Sequence, residues 1–195
     1  IYARIGTSAA ASIQICSTVM NLFMIVTFGL ANAAVVIIGN EIGANRESEA
    51  ISASKKISSL SFKISILLAI VLAFLSKPIV SFFNVSVEVK IASEYILYVY
   101  AFILVFKIYN AVMIVGILRG GGDATYGSIL QGLTLWLIGI PLAAFAALII
   151  KLPIYFVVMF AAVEEIIKVF FMMKRFKSFK WIKNMVNDEQ NEVLT

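Results

Sequence analysis

The chain of 195 residues contains no histidine. That excludes a histidine-based metal site or general base within it. Its one cysteine, Cys16, lies in an apolar stretch, so it says nothing of a disulfide and no cysteine metal motif can be built from it. Charge is scarce: 14% of residues are charged, where soluble domains carry about 25%. No short basic start with a short apolar core and cleavage site opens the chain, so no signal peptide is visible. The first residue is Ile1, and the opening Ile-Tyr-Ala-Arg-Ile-Gly reads as the end of a helix, the cut edge of a longer protein. Apolar residues do not alternate with polar ones at period two, which argues against barrel strands.

What is there is hydrocarbon. Hydrophobic residues make up 62% of the chain, with mean hydropathy +0.99. A spanning helix needs about 20 mostly apolar residues. Five runs meet that: Thr7–Ile38, Ser54–Leu75, Ile91–Leu118, Tyr126–Ile150 and Ile154–Met173. The expectation is an all-α, polytopic transmembrane bundle over residues 1–173, with a basic tail over 174–195. The links are short. In "GNEIGANRESEA" (Gly39–Ala50), Asn45 is expected to cap a helix with Glu47 and Glu49 in its first turn. "SKPIVSFFNVSVEVK" (Ser76–Lys90) is expected to hold a short interfacial piece around Phe82 and Phe83. "KLP" (Lys151–Pro153) suits a helix start at its proline.

Net charge is +5, and it is unevenly spread. Arg46, Lys55, Lys56, Arg119, Lys174, Arg175, Lys177, Lys180 and Lys183 fall on one side of the alternating spans; Arg4, Lys77, Lys90 and Lys151 fall on the other. The richer side is expected to be cytoplasmic. The tail interleaves its lysines with Phe176, Phe179 and Trp181 beside a span, which reads as anchoring to anionic lipid rather than nucleic-acid binding.

Ionisable groups inside spans are costly, by roughly 2.5–3.5 kcal/mol each, so they are the first candidates for function. Lys107 and Asn110 share one face of the third span. In the fifth, Glu164 and Glu165 stand four and three residues before Lys168, so either pair can meet. These groups read either as a proton or cation relay or as a self-paired cluster that makes insertion tolerable. Gln14, Thr18, Asn21 and Asn32 share one face of the first span, either gluing helices together or lining a cavity. Gln131 and Thr134 precede an expected kink at Gly139-Ile-Pro141. Between the third and fourth spans lies "GILRGGGDATYG", with Arg119, Gly120, Gly121, Gly122 and Asp123 forming a tight turn. It lacks the Gly-Lys-Ser/Thr ending of a phosphate-binding loop.

Taken in order, "GNEIGANRESEA", "GILRGGGDATYG", "WLIGIPLA" and "VEEIIKVFFMMKRFKSFKWIKNM" resemble the C-terminal half of the MATE multidrug and toxic-compound exporters, over nearly the whole chain and closest to a broad bacterial branch. The resemblance implies twelve helices in two bundles around a central cavity. This chain would supply the last residues of the seventh and helices eight to twelve. It implies export of cationic, amphipathic compounds across the bacterial inner membrane, driven by Na⁺ or H⁺ as coupling ion, with no other cofactor. The implied partners are membrane lipids, the N-terminal bundle of the same protein and a small organic substrate; nucleic acid is not among them. The sequence departs from the family pattern in one place. Na⁺-coupled members carry an acidic residue in the helix where this chain has Lys107 and Asn110, and the one carboxylate of that span, Glu94, lies near its outer end. Other readings are a lipid-linked sugar flippase of the wider superfamily and a non-transporting membrane subunit. A membrane-embedded enzyme is disfavoured, since no span holds histidine or aspartate.

Overall fold

The computed structural model describes residues 6–183. Among these the chain forms five long helices and no strand: α1 (Thr7–Gly43), α2 (Glu47–Ser81), α3 (Val87–Leu118), α4 (Ala124–Ile149) and α5 (Ile154–Lys177). Helices α1 to α4 are each long and apolar enough to cross a membrane. Helix α5 has 24 residues but carries Glu164, Glu165 and Lys168 near its middle. In hydrocarbon, only helices satisfy their own backbone without closing a barrel. The result is an all-α membrane bundle.

Helix α3 is the central post. Of its most apolar stretch 67% is buried inside the bundle, against 22–28% for α1, α2 and α4. Those outer helices present Phe74, Leu137 and similar side chains outward. Lipid is as apolar as leucine, so packing rather than water exclusion joins these helices. Helix α1 accordingly turns its small residues inward: Ala9, Ser12, Cys16, Ala31 and Ala34 are buried. Ser12 Oγ bonds Ser8 O of its own helix at 2.9 Å and also reaches Val89 O at 3.3 Å, while Cys16 Sγ donates to Ser93 O at 3.4 Å, so both side chains touch α3. Further along, a β-carbon on Gly116 would stand 2.9 Å from Ala34 Cβ, so only glycine admits this approach.

The helices run past the apolar runs that announce them. Helix α1 continues to Gly43, α2 spans Glu47 to Ser81 and α5 reaches Lys177. At about 1.5 Å per residue, the 35 residues of α2 exceed a hydrocarbon layer of about 30 Å. The expected interfacial piece is therefore largely the end of α2, which runs through Pro78 and stops at Phe82. Asn45 does not occupy the cap position of α2. It adopts φ 59° inside the turn, and Arg46 holds the cap position without a side-chain bond, although Glu47 and Glu49 do occupy the first turn. Ser86 caps α3 by accepting from Val89 N at 3.4 Å.

Pro141 does not break α4. The helix widens instead, with π turns at Leu135–Gly139 and Phe145–Ile149 on either side. Ile140 N donates five residues back to Leu135 O, a local adjustment that accommodates the missing donor at Pro141. A third π segment, Val112–Leu118, follows Asn110 in α3. Arg4 and the tail beyond Lys183 lie outside the described residues.

Candidate functional site

Helices α3 and α5 cross at a buried polar network. Asn110 Nδ2 donates both to the backbone oxygen of Glu165 and to its Oε2, each at 2.8 Å. Lys168 Nζ lies 3.2 Å from Glu165 Oε2 and 3.1 Å from Glu164 Oε2, with its side chain only 4% exposed. The expected i,i+3 and i,i+4 pairs thus form together. Asn110 adds a clamp from 55 residues away. Two carboxylates share one ammonium, which leaves one negative charge in excess where charge is costly. Among the described residues Asn110 Oδ1 is buried without a donor. Helix α4 makes room for the network at Gly139, where a β-carbon would lie 3.2 Å from both Glu164 Cγ and Ala161 O.

The network borders a cleft of about 410 Å³ between α1, α3, α4 and α5. Its walls include Ser17 and Asn21 of α1, Tyr100 and Lys107 of α3, Gly139 and Ala143 of α4, and Ala162, Glu164 and Glu165 of α5. Lys107 is half-buried there, and no carboxylate among the described residues lies within ion-pair distance of it. It lines the same cleft as Glu164 and Glu165.

Other candidates fall elsewhere. Gln14, Thr18, Asn21 and Asn32 do share a face, but it is the outward face of α1, and only Asn21 reaches the cleft. Thr18 Oγ1 bonds its own helix at Gln14 O. Gln131 is exposed, and buried Thr134 donates to Leu130 O within α4, so neither lines the cleft.

The glycine turn has a different task. The C-terminal end of α1, the α3–α4 turn and the segment after α5 meet at one end of the bundle. Asp123 lies at the start of α4, yet its carboxylate does not cap that helix. It accepts from Arg175 Nε at 2.7 Å and from Lys183 Nζ at 2.6 Å, with its own side chain 2% exposed. Arg175 also lies over the Tyr126 ring, 4.7 Å from its centroid. Trp181 is fully buried, stacked on Phe176, and donates to Phe176 O at 3.1 Å. Lys183 N donates to Gly121 O at 2.8 Å. A β-carbon on Gly121 would collide with Trp181 Cε3, and Gly122 adopts φ 85°, so each glycine answers a separate demand. Phe176 and Trp181 are thus not available as lipid anchors. They close a clasp over the turn, while Phe179 stays exposed.

Burial pushes the Asp123 carboxyl up, but hydrogen bonds from Arg175 and Lys183 outweigh it and hold the group below its ordinary 3.8. A depressed folded value means the ion pairs stabilise the clasp above the unfolded value and are lost as pH falls through the folded one. In a Trp136→Phe background, Trp181 emission is therefore expected to stay constant from neutral pH down to about pH 4 and to shift red only below it. Asp123→Asn is expected to show the red shift at every pH. An emission change near pH 6 would contradict this assignment.

The fold is that of a polytopic membrane helix bundle with a charged cleft among its helices. The chain belongs to the MatE family, whose model matches residues 1–145. That match covers α1 to α3 and most of α4 and ends before α5. Members of this family are transporters, not enzymes. No curated protein and no solved structure matches the chain.

Proposed function

We propose that this chain forms the cleft-bearing bundle of an ion-coupled antiporter. It would export amphipathic organic compounds across the cell membrane of a bacterium, with its basic end in the cytoplasm. The observation that carries this reading is the pair of buried carboxylates, Glu164 and Glu165, sharing one ammonium at the edge of a cleft. The excess charge gives a proton or Na⁺ a reason to enter, and Asn110 Oδ1 is a spare oxygen ligand beside it. Widened helices lining a cleft suit a transporter, whose sites often sit where helices are interrupted. The rest of the cavity wall would come from an N-terminal bundle of the same protein.

The test is dye efflux from proteoliposomes containing the full protein, under an imposed H⁺ or Na⁺ gradient. One gradient is expected to drive export, and Glu165→Gln is expected to uncouple it. Export driven by neither gradient would overturn the proposal. Lys107 makes a sharper prediction. Lys107→Ala is expected to reach the membrane at the wild-type level and to lower the half-saturating concentration of a cationic dye about fivefold. That is a relief of about 1 kcal/mol, the repulsion of two unit charges about 4 Å apart in a water-filled cleft. Unchanged efflux would show that Lys107 does not face the substrate. The same uncompensated lysine favours a second reading, a flippase for a phosphate-bearing lipid. In that case Lys107→Ala would abolish transport of the lipid, and no dye would move.

A further inference from the structure

A second cleft, also of about 410 Å³, lies between α2, α3 and α5. One face of α2 supplies Lys55, Ser58, Ser59 and Phe62, at spacings of three, four and seven. The order along that face is a cation, two hydroxyls and an aromatic ring. It runs from the basic end toward the apolar middle of the helix, over about 10 Å at 1.5 Å per residue. The deeper wall is apolar, with Val105 and Phe106 from α3 and Val169 from α5. The groove is firmly built. Ser58 Oγ and Tyr109 Oη are 2.9 Å apart, Tyr109 Oη donates to Met173 Sδ at 3.0 Å, and the Phe62 ring packs edge-on to Tyr109. Lys55 has no carboxylate partner among the described residues; its ammonium lies 6.0 Å from the centre of the exposed Phe179 ring.

We infer that this groove binds one anionic phospholipid from the leaflet at the basic end of the bundle. The headgroup phosphate would meet Lys55 and Ser59, and an acyl chain would lie against Phe62 and Phe106. Charge complementarity selects this occupant. The polar-to-apolar order along α2 matches a phospholipid from headgroup to chain, and the unpaired cation sits where the phosphate would be. Basic pockets between membrane helices recognise anionic headgroups in this way. The inference needs only the membrane bundle and is independent of what the first cleft transports.

The test uses the full protein in proteoliposomes containing a phosphatidylglycerol with a diazirine in its acyl chain, or the matching phosphatidylcholine. After illumination, the labelled peptides are mapped by mass spectrometry. Labelling of residues 59–66 and 102–109 is expected to be about fivefold stronger with phosphatidylglycerol, the equivalent of about 1 kcal/mol for one lysine at an anionic surface. Lys55→Gln is expected to remove that preference while leaving phosphatidylcholine labelling unchanged, which also reports that the bundle is intact. Lys55→Arg is expected to keep the preference. Equal labelling by the two lipids in the wild type would overturn the inference, as would a preference that survives Lys55→Gln. Absence of label from both segments would mean that a protein segment fills the groove instead, and would overturn it too.

Discussion

Lys168→Met is expected to remove most of the folded, membrane-inserted protein. The Lys168 side chain is 4% exposed and its ammonium lies between two carboxylates at 3.1 and 3.2 Å. Removing it leaves Glu164 and Glu165 facing each other without a cation in a medium of low dielectric. Breaking a buried pair by deleting one partner costs about 3–5 kcal/mol. That is a large share of the 5–15 kcal/mol or so by which domains are stable. The loss is a charge effect and not a packing effect, because methionine fills nearly the same volume. Adding Glu164→Gln and Glu165→Gln to Lys168→Met is therefore expected to restore inserted protein, with transport still absent. Fluorescence-detected size-exclusion of the solubilised protein measures both. Wild-type yield from Lys168→Met alone would show that the carboxylates find another counter-charge.

The second large effect belongs to the clasp. Trp181→Ala empties a fully buried site, and deletions of this size cost about 3–5 kcal/mol. Gly121→Ala is expected to cost nearly as much although it adds one methyl group, because the new β-carbon would occupy the place of Trp181 Cε3. The two changes remove the same contact from opposite sides. The double variant is therefore expected to melt close to the worse single variant rather than at the sum of both losses. Additive losses in thermal unfolding would show that Gly121 and Trp181 act independently.

How far these features were legible follows from where their causes lie. The spans could be read because the bilayer fixes both helix and length. The pairing of Glu164 and Glu165 with Lys168 could be read because positions three and four apart on a helix are neighbours whatever surrounds them. Asn110 joins the same network from 55 residues away, and Asp123 meets Arg175 across 52. No local pattern records either approach. Periodicity shows that Gln14, Thr18, Asn21 and Asn32 share a face but not which way the face turns. Packing decided that, because only the small-residue side of α1 comes close enough to Gly116. The glycine run read as a turn, and it is one. Its second purpose, seating Trp181, depends on a tail segment whose aromatic and basic residues also fit a lipid surface.

The central claim is that the cleft between α1, α3, α4 and α5 holds water and substrate. Ala162 lines it, whereas Phe170 on the same helix points outward and is 69% exposed on the bundle surface. Cys16 is fully buried and contributes little background. The most direct measurement is labelling of Ala162→Cys in membranes by a water-soluble maleimide, with and without an amphipathic cation, against Phe170→Cys as the lipid-facing control. The expected result is rapid labelling at position 162, slowed by the cation, and none at position 170. Equal labelling at both positions, or none at 162, would contradict the account.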